Sequence, residues 1–274
     1  MPRTELLKLL PHPVATDDKY SRGVVGFMTG SEKYPGAAVL GVSAAVRAGA
    51  GMVRYLGPPT PRVLVLRQHP EVVAELGKAD VWVFGSGIDP DHKPENGVFL
   101  KQVLKAARCL VIDATGLQRF DFAEAPELTI LTPHAGELVT LLGQFEMVVT
   151  RAEVEDDPQS HALLAAKLTG CVVLLKGNTT WLATAEGQAR AVGPNSVNLS
   201  VAGTGDVLAG ILGALLALNL KRADSLASQN GIVDVAELAI QIHSRAADLA
   251  AVDGPVAALD VAEAVRKAIG ELLV

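Results

Sequence analysis

The fold is decided by Asn198-Leu-Ser-Val-Ala-Gly-Thr-Gly-Asp-Val-Leu-Ala-Gly210, a loop of small residues that leads into an apolar helix. Gly203 and Gly205 let the backbone turn tightly and bring its N–H groups close to a ligand. The helix adds the positive end of its dipole, so the loop is suited to bind an anion. Asp206 could take the proton of an acceptor hydroxyl while the amides stabilise a transferring phosphoryl group. In the alternative interpretation, the glycines form an ordinary turn and Asp206 is an N-cap.

Composition bounds the class of protein. The 274 residues allow one large α/β domain or two small ones, and we predict a single domain over residues 1–274. The chain has 49% hydrophobic residues, a formal charge of −6 and no basic run, which argues against a nucleic-acid binder. No signal peptide opens it, and the predicted apolar helix from Val207 to Leu218 is too short to span a bilayer. We therefore expect no membrane association, a location in the cytoplasm, and buried, reduced thiols at Cys109 and Cys171.

Short β-type runs alternate along the chain with helical stretches rich in small residues. This alternation is typical of parallel βαβ units, whose ligand sites lie at the carboxyl ends of the strands. The pattern also predicts a hairpin, which adds an antiparallel element, and helices from Thr204 onward with joints at Asn219, Gly231 and Gly254. Strands are predicted at 24–28, 52–56, 81–84, 109–113, 128–132 and 171–175, a helix at 35–48, and the hairpin from 179–183 to Ala189.

Two further loops follow predicted strands and carry polar groups. In Thr132-Pro-His-Ala-Gly-Glu137, His134 lies at a strand end and Glu137 in the first turn of a helix, although a lone histidine is more often structural. Lys176-Gly-Asn-Thr-Thr180 offers a cation, a flexible backbone and two hydroxyls, which suit phosphates or ribose, or else form a turn entering the hairpin. The sequence contains no P-loop, and its six histidines lack metal-ligand spacing, so we expect no metal site held by the protein.

The loops together resemble the ADP/ATP-dependent NAD(P)H-hydrate dehydratases, which have the ribokinase-like fold. The resemblance covers about residues 22–248, and the Pro-His-Ala-Gly-Glu block with the Gly-Thr-Gly-Asp block is its most specific part. It implies a three-layer α/β/α architecture with a mostly parallel central sheet. The blocks, in the order of the family, are Arg22-Gly-x-x-Gly26 with Tyr34-Pro-Gly-Ala-Ala38 and Arg47-Ala-Gly-Ala-Gly51, then Gly85-Ser-Gly87, Thr132–Glu137, Lys176–Thr180 and Gly203–Asp206.

The resemblance implies a repair reaction on the S epimer of hydrated NADH or NADPH. A nucleotide, which we expect to be ADP, phosphorylates the hydroxyl of the hydrate, and elimination of phosphate restores the dihydronicotinamide ring. Asp206 is the implied base, and we expect the helix dipole to keep its carboxylate ionised. Mg²⁺ is expected with the nucleotide, held largely by phosphates and water. The implied hydrate contacts are Ala37, Gly87, His134 and Asp206, and the implied nucleotide contacts are Lys176, Gly177, Asn178, Thr179, Thr180 and Gly205.

The chain departs from the usual family pattern at four places. Ser86 stands in a loop that is commonly Gly-Pro-Gly, and Ala202 stands where another glycine is common. Thr115-Gly116 replaces the usual Asp-Ala, and Ser244 follows His243 in place of a glycine. Many relatives also carry an epimerase domain, for which this chain has no room, so we expect that activity on a separate protein or on a removed part of a longer gene product.

Two other functions share these motifs. A small-molecule kinase of the same superfamily, acting on a hydroxymethyl group of a vitamin precursor, would use the same phosphate site. A non-catalytic nucleotide sensor would use the same loops without turnover. The alanine-rich segments 37–48 and 236–251 allow close helix packing, either internal or between subunits. Because relatives are often tetramers, we expect a homo-oligomer.

Overall fold

The computed structural model describes residues 3–10, 12–91, 102–104, 106–222, 226 and 228–273. Within these residues, eight strands form one sheet in the order β2-β1-β3-β4-β5-β6-β7-β8. Strands β1 to β6 are parallel, and the last two pairings, β6 with β7 and β7 with β8, are antiparallel. The strands are β1 Val24–Met28, β2 Met52–Tyr55, β3 Val81–Phe84, β4 Cys109–Ile112, β5 Leu128–Leu131, β6 Val172–Leu175, β7 Thr180–Ala183 and β8 Ala189–Val192.

The strands form where the apolar runs predict them, with ends that differ by one residue in several cases. Strands β1, β3 and β4 are buried at every position, as expected for a parallel sheet that is covered on both faces. Two separate apolar clusters lie on its two sides. The predicted three-layer α/β/α class is therefore confirmed, and so is the antiparallel hairpin.

Helices pack on both sides of the sheet. Helix α2 begins at Pro35, whose fixed φ suits the first helical turn. It packs tightly on the helix Thr204–Arg222, named α8 below, because a Cβ on Gly210 of that helix would lie 2.1 Å from the Gly41 carbonyl oxygen of α2. Small residues here serve internal packing. The described helices are α1 Arg3–Leu7, α2 Pro35–Arg47, α3 Pro59–Gln68, α4 Gly116–Arg119, α5 Ala135–Gly143, α6 Arg151–Asp156, α7 Pro158–Thr169, α8 Thr204–Arg222, α9 Gln229–Ala250 and α10 Ala258–Leu273.

The C-terminal helices correct three expectations. The apolar helix continues to Arg222, because the Asn219 side chain donates to the Leu215 carbonyl of the same helix and to the Leu9 carbonyl instead of ending it. Gly231 likewise lies inside α9, whereas Gly254 does separate α9 from α10. Among the described helices, α8 is long and apolar enough to cross a membrane, so its predicted shortness is wrong. Of the 18-residue apolar stretch within α8, 83% is buried inside the protein, so α8 is a helix of the core.

Both cysteines are free and buried, as predicted. Burial raises the pKa of the Cys109 and Cys171 thiols to about 12. The thiolate is the reactive form of cysteine, so these side chains behave as small apolar groups.

Candidate functional site

The polar loops meet at the carboxyl edge of the parallel strands. Ser86 follows β3, Asp113 follows β4, His134 follows β5 and Lys176 follows β6. The pairing of β5 with β6 continues past the strand ends, because the Lys176 N–H donates to the Pro133 carbonyl oxygen at 2.8 Å. The fold thus brings side chains that are 90 residues apart in the chain to one edge of the sheet, as expected for parallel strands.

Two glycines bring the loops after β3 and β4 into contact. A Cβ on Gly85, whose φ is +111°, would lie 2.1 Å from the Asp113 carbonyl oxygen and 2.6 Å from Gly116 Cα. Ala114, next to Asp113, adopts a left-handed φ of +50°, which is unfavourable for a residue with a Cβ. This close approach lets the Ser86 hydroxyl donate to Asp113 Oδ2 at 2.9 Å.

We expect Gly85→Ala to destabilise the protein by at least ~2 kcal/mol, because the new methyl group would overlap a backbone carbonyl and strain the backbone. Urea unfolding measures the effect. Gly170→Ala is the matched control, since Gly170 also has a positive φ, +70°, but a Cβ there meets nothing within 4 Å. Equal losses for both variants would show that backbone conformation alone, and not the approach of the two loops, sets the cost.

Asp113 is the most densely bonded side chain of the site. Its Oδ1 accepts from Lys176 Nζ and from the Thr132 hydroxyl, both at 2.7 Å, and its Oδ2 accepts from Ser86. Burial alone would raise the pKa of Asp113, but the Lys176 ammonium and the hydroxyl donors outweigh it and lower that pKa. Asp113 and Lys176 thus form a buried ion pair, and Lys176 Nζ lies 3.6 Å from Glu137 Oε2 as well.

Asp206 lies in the first turn of α8, two residues after the helix begins at Thr204. It is therefore not an N-cap. Burial raises the pKa of Asp206 to about 7, and the negative charge of Asp113 adds to the increase, against the opposing effects of Lys176 and Ser86. The helix dipole alone predicts an ionised carboxylate, but burial favours the neutral form of Asp206 and raises its pKa instead. A pKa near neutral suits a group that must take up a proton.

The loop before α8 is held in a fixed shape. Gly203 has a φ of +94°, a conformation that favours glycine, and a Cβ there would lie 2.5 Å from Leu40 Cδ1, so a larger residue would be strained and would displace the Leu40 side chain. The Thr204 hydroxyl donates to the carbonyls of Leu199 at 2.8 Å and Val201 at 3.1 Å. Behind the loop lies the buried His243, which hydrogen-bonds the Thr204 backbone and whose pKa burial lowers to about 4. This histidine is neutral at pH 7.

The two small residues assigned to the hydrate lie together at the start of α2. A Cβ on Gly87, which has a φ of +65°, would lie 2.4 Å from Ala37 Cβ and 3.0 Å from the Tyr34 carbonyl oxygen. Gly41, one turn further along α2, faces the backbone of Asp206, since its Cβ would lie 3.4 Å from the Asp206 carbonyl oxygen. Ala37 and Gly87 are thus on the α2 side of Asp206.

His134 has a structural role in the fold. Its Nδ1 accepts from the Glu137 N–H at 3.1 Å, and Glu137 Oε2 accepts from the His134 N–H at 2.9 Å, which forms a capping box at the start of α5. The His134 side chain remains 57% exposed, so it can still contact a ligand from the site.

The loop assigned to the nucleotide combines exposed and buried groups. Gly177, Asn178 and Thr179 are exposed, whereas Thr180 is buried at the start of β7. The Asn195 side chain donates to the Gly177 carbonyl at 2.9 Å and to the Thr180 hydroxyl at 3.0 Å. The hydroxyl of Thr180 is therefore used to hold the loop. Gly205 lies next to this loop, because a Cβ on Gly205 would be 3.5 Å from Lys176 Nζ.

The departures from the family pattern are accommodated. The Ser86 hydroxyl bonds Asp113, and the Thr115 hydroxyl donates to the Ile88 carbonyl at 2.9 Å. Ala202 does not have a positive φ, so the backbone at this position does not require a glycine. The Ser244 hydroxyl accepts from the Ser196 N–H at 2.7 Å and so ties the loop before α8 to α9.

Several side chains at this edge were not among the predicted site residues. Asp113 could have been predicted from the sequence, because it is a polar residue just after a buried strand, as His134 and Lys176 are. Thr132 also follows a strand. Asn195 and His243 carry no comparable sequence signal, since only the tertiary fold brings them to the site.

The described residues contain no group of three or more His, Cys, Asp or Glu side chains that could hold a metal ion. Asp113, the carboxylate nearest the centre, already accepts from three donors.

Solved structures with similar folds were found. An ADP/ATP-dependent NAD(P)H-hydrate dehydratase from Bacillus subtilis, co-crystallised with ATP and Mg²⁺, superposes with a TM-score of 0.81 at 22% identity, covering 98% of this chain and 97% of that one. A ribokinase-like superfamily protein from Enterococcus faecalis gives 0.77 at 21% identity over 99% and 95% of the chains. A hydroxyethylthiazole kinase from Pyrococcus horikoshii gives 0.64 at 16% identity over 97% and 92%. The fold is therefore ribokinase-like.

Sequence relatives agree with this fold. The chain is 37% identical over 236 residues to a bifunctional NAD(P)H-hydrate repair enzyme of Mycobacterium tuberculosis, covering 82% of this chain and 47% of the relative. It is 31% identical over 232 residues to an ADP-dependent (S)-NAD(P)H-hydrate dehydratase of Xanthomonas campestris, covering 77% and 78%. The chain spans about half the length of the bifunctional relatives. A family model described as NAD(P)H-hydrate dehydratase matches residues 25–267, and the chain belongs to this family.

Proposed function

We propose that this protein uses a nucleotide, preferably ADP, to dehydrate the S epimer of hydrated NADH or NADPH. Family membership favours this reaction. The observation that carries the proposal is a carboxylate of near-neutral pKa, Asp206, at the start of α8, beside a glycine loop and the Lys176 ammonium. This arrangement can accept a hydroxyl proton and stabilise a transferring phosphoryl group at the same place.

In the first step Asp206 takes the proton of the ring hydroxyl. The hydroxyl oxygen attacks the terminal phosphorus of the nucleotide, and the bond from that phosphorus to the bridging oxygen breaks. With ADP the products are the phosphorylated hydrate and AMP. The amides of the 203–206 loop and Lys176 stabilise the negative charge on the phosphoryl oxygens.

In the second step the lone pair of the ring nitrogen expels phosphate from the neighbouring carbon. A proton then leaves the adjacent ring carbon, and its electron pair restores the double bond of the dihydronicotinamide. This step needs little from the protein, because phosphate is a good leaving group. The hydrate is proposed to contact Ala37, Gly87, His134 and Asp206.

The nucleotide is proposed to contact the loop after β6. Gly177, Asn178 and Thr179 are exposed and Gly205 is half-buried, and Lys176 supplies positive charge. Thr180 acts by holding the loop through Asn195. Mg²⁺ is proposed to arrive with the nucleotide, held by phosphates and water, and to neutralise phosphate charge.

Further proposals concern the assembly and its setting. We propose a homo-oligomer, with a tetramer favoured, in the cytoplasm, and no nucleic-acid or membrane partner. The epimerase activity would come from a separate protein or from another part of a longer gene product. Analytical ultracentrifugation at working concentration tests the assembly, and a monomer mass would contradict it.

The assay for the activity uses purified protein, hydrated NADH, ADP and Mg²⁺. We expect the near-ultraviolet absorbance of the reduced nicotinamide to return as ADP is converted to AMP and phosphate. A kinase for another alcohol would leave the absorbance flat while consuming nucleotide on that alcohol. A nucleotide sensor would consume nothing, and either result would contradict the proposal.

We expect Ala37→Leu to abolish binding of the hydrate while nucleotide affinity stays nearly unchanged. Ala37 packs directly against Gly87, so a larger side chain there must project into the space proposed for the dinucleotide. Calorimetric titration with NADPH, as a stable mimic of the hydrate, and separately with ADP measures the two affinities. A loss of ADP binding alone would reverse the assignment of the two pockets.

A further inference from the structure

Asp113 has no assigned part in the proposed reaction, although it lies at the centre of the site. The Asp113 side chain is buried, and it receives donors from three different loops, namely Ser86 after β3, Thr132 after β5 and Lys176 after β6. With both of its oxygens engaged, Asp113 has little capacity left for a ligand. Its effect on the chemistry must therefore pass through its neighbours.

We propose that Asp113 is the positioning residue of this site, which holds the Lys176 ammonium next to the 203–206 loop and thereby sets the charges that surround Asp206. The inference rests on the proposed function only for the identity of the reaction. The contacts and charges of the free protein carry the rest.

The position of Lys176 depends on Asp113. Its ammonium lies 2.7 Å from Asp113 Oδ1 but 3.6 Å from Glu137 Oε2, so Asp113 is its main partner. In this position the ammonium is close to Gly205, one residue before Asp206. Without the Asp113 charge, Lys176 would turn toward the two remaining carboxylates, Glu137 and Asp206.

Charged and polar groups from several elements surround Asp206. Two carboxylates, Asp113 after β4 and Glu137 on α5, raise its pKa beyond the effect of burial. Lys176 after β6 and the Ser86 hydroxyl lower it. His243, which approaches from α9, is neutral. Removing the charge of Asp113 therefore lowers the pKa of Asp206 in two ways. The negative charge that raised this pKa is gone, and the Lys176 ammonium is free to move toward Asp206.

The backbone around Asp113 adopts an unusual conformation. The next residue, Ala114, adopts a left-handed conformation that a non-glycine residue rarely takes. The Gly85 backbone lies so close to the Asp113 carbonyl oxygen that a Cβ on Gly85 would be 2.1 Å from it. Strained backbone persists where the surrounding structure fixes it, and it clusters at functional sites. The turn thus fixes the position of the Asp113 carboxylate.

The test is an infrared pH titration of the free protein, which follows the carboxyl band that Asp206→Asn removes. We expect this band to titrate near pH 7 in the wild type and at least one pH unit lower in Asp113→Asn. Asp80→Asn is the matched control, because Asp80 is also a poorly exposed carboxylate paired with a lysine, 2.9 Å from Lys221. It lies outside the site and should leave the midpoint unchanged.

A midpoint that stays within about 0.3 units in Asp113→Asn, or that moves equally in Asp80→Asn, would overturn the proposal. Should Asp113→Asn be unfolded in buffer, all variants are titrated in the stabilising osmolyte trimethylamine N-oxide, with the same criteria. The proposed function fails separately: the expected band shift together with no dehydratase turnover would leave the positioning role standing. A wild-type midpoint near pH 4 would overturn the positioning role whatever the assay shows.

Discussion

Asp206→Asn is expected to reduce dehydratase turnover by at least ~100-fold, the usual loss when a general base is removed. Asparagine keeps the shape of aspartate but cannot take a proton. The Asp206 side chain is not an N-cap, and its burial opposes its charge. Replacement by a neutral amide should therefore leave the melting temperature unchanged or slightly higher. Single-turnover kinetics and thermal unfolding measure the two effects.

The control for this prediction is nucleotide affinity, which should survive because Lys176 and the loop after β6 are untouched. Calorimetric titration with ADP measures it. Near-wild-type turnover in Asp206→Asn would show that another group takes the proton. A large loss of ADP affinity would instead assign Asp206 to the nucleotide.

Lys176→Ala is expected to cost about 3–5 kcal/mol of folding free energy, because it leaves the buried Asp113 carboxylate without its cation. The side chains of Lys176 and Asp113 are only 20% and 5% exposed, so solvent cannot replace the lost partner. The same change should weaken nucleotide binding by about 1–3 kcal/mol through the loss of a charge-assisted contact. Urea unfolding and calorimetric titration with ADP measure the two losses, and NADPH binding should be largely retained.

A double-mutant cycle separates these two effects. In an Asp113→Asn background, Lys176→Ala no longer strands a buried charge, so we expect the stability loss to shrink while the loss of ADP affinity remains. Equal stability losses in both backgrounds would show that the ion pair does not set the cost. Weakened NADPH binding with intact ADP binding would assign Lys176 to the hydrate.

The fold was predictable to the extent that it depends on local patterns. Uninterrupted apolar runs such as 81–84 and 109–112 identify buried parallel strands, and the Glu186-Gly187 turn identifies the hairpin. The predicted helix end at Asn219 was wrong, although an asparagine often ends a helix. Its side chain finds the Leu9 carbonyl, more than 200 residues away, and no local rule contains that contact.

The site was predictable as a set of loops but not as an electrostatic arrangement. The glycine spacing at 203–206 and the polar residues after β5 and β6 identified the groups that meet. The charge state of Asp206 depends on its burial and on Asp113, and both are products of tertiary packing. A helix dipole can be inferred from sequence, whereas the desolvation that raises the pKa of Asp206 cannot.

The hydrogen bonds that hold the segment 193–203 affect the thermodynamics of ligand binding. Asn195 bonds the loop after β6, Ser196 bonds Ser244 and Asp248 of α9, and Thr204 bonds the end of the segment. A free loop would lose about 1–2 kcal/mol of backbone entropy for each residue that a ligand orders. Here that ordering is completed during folding, so the contact energy of the proposed nucleotide would go into affinity and the site would bind it as a preorganised surface.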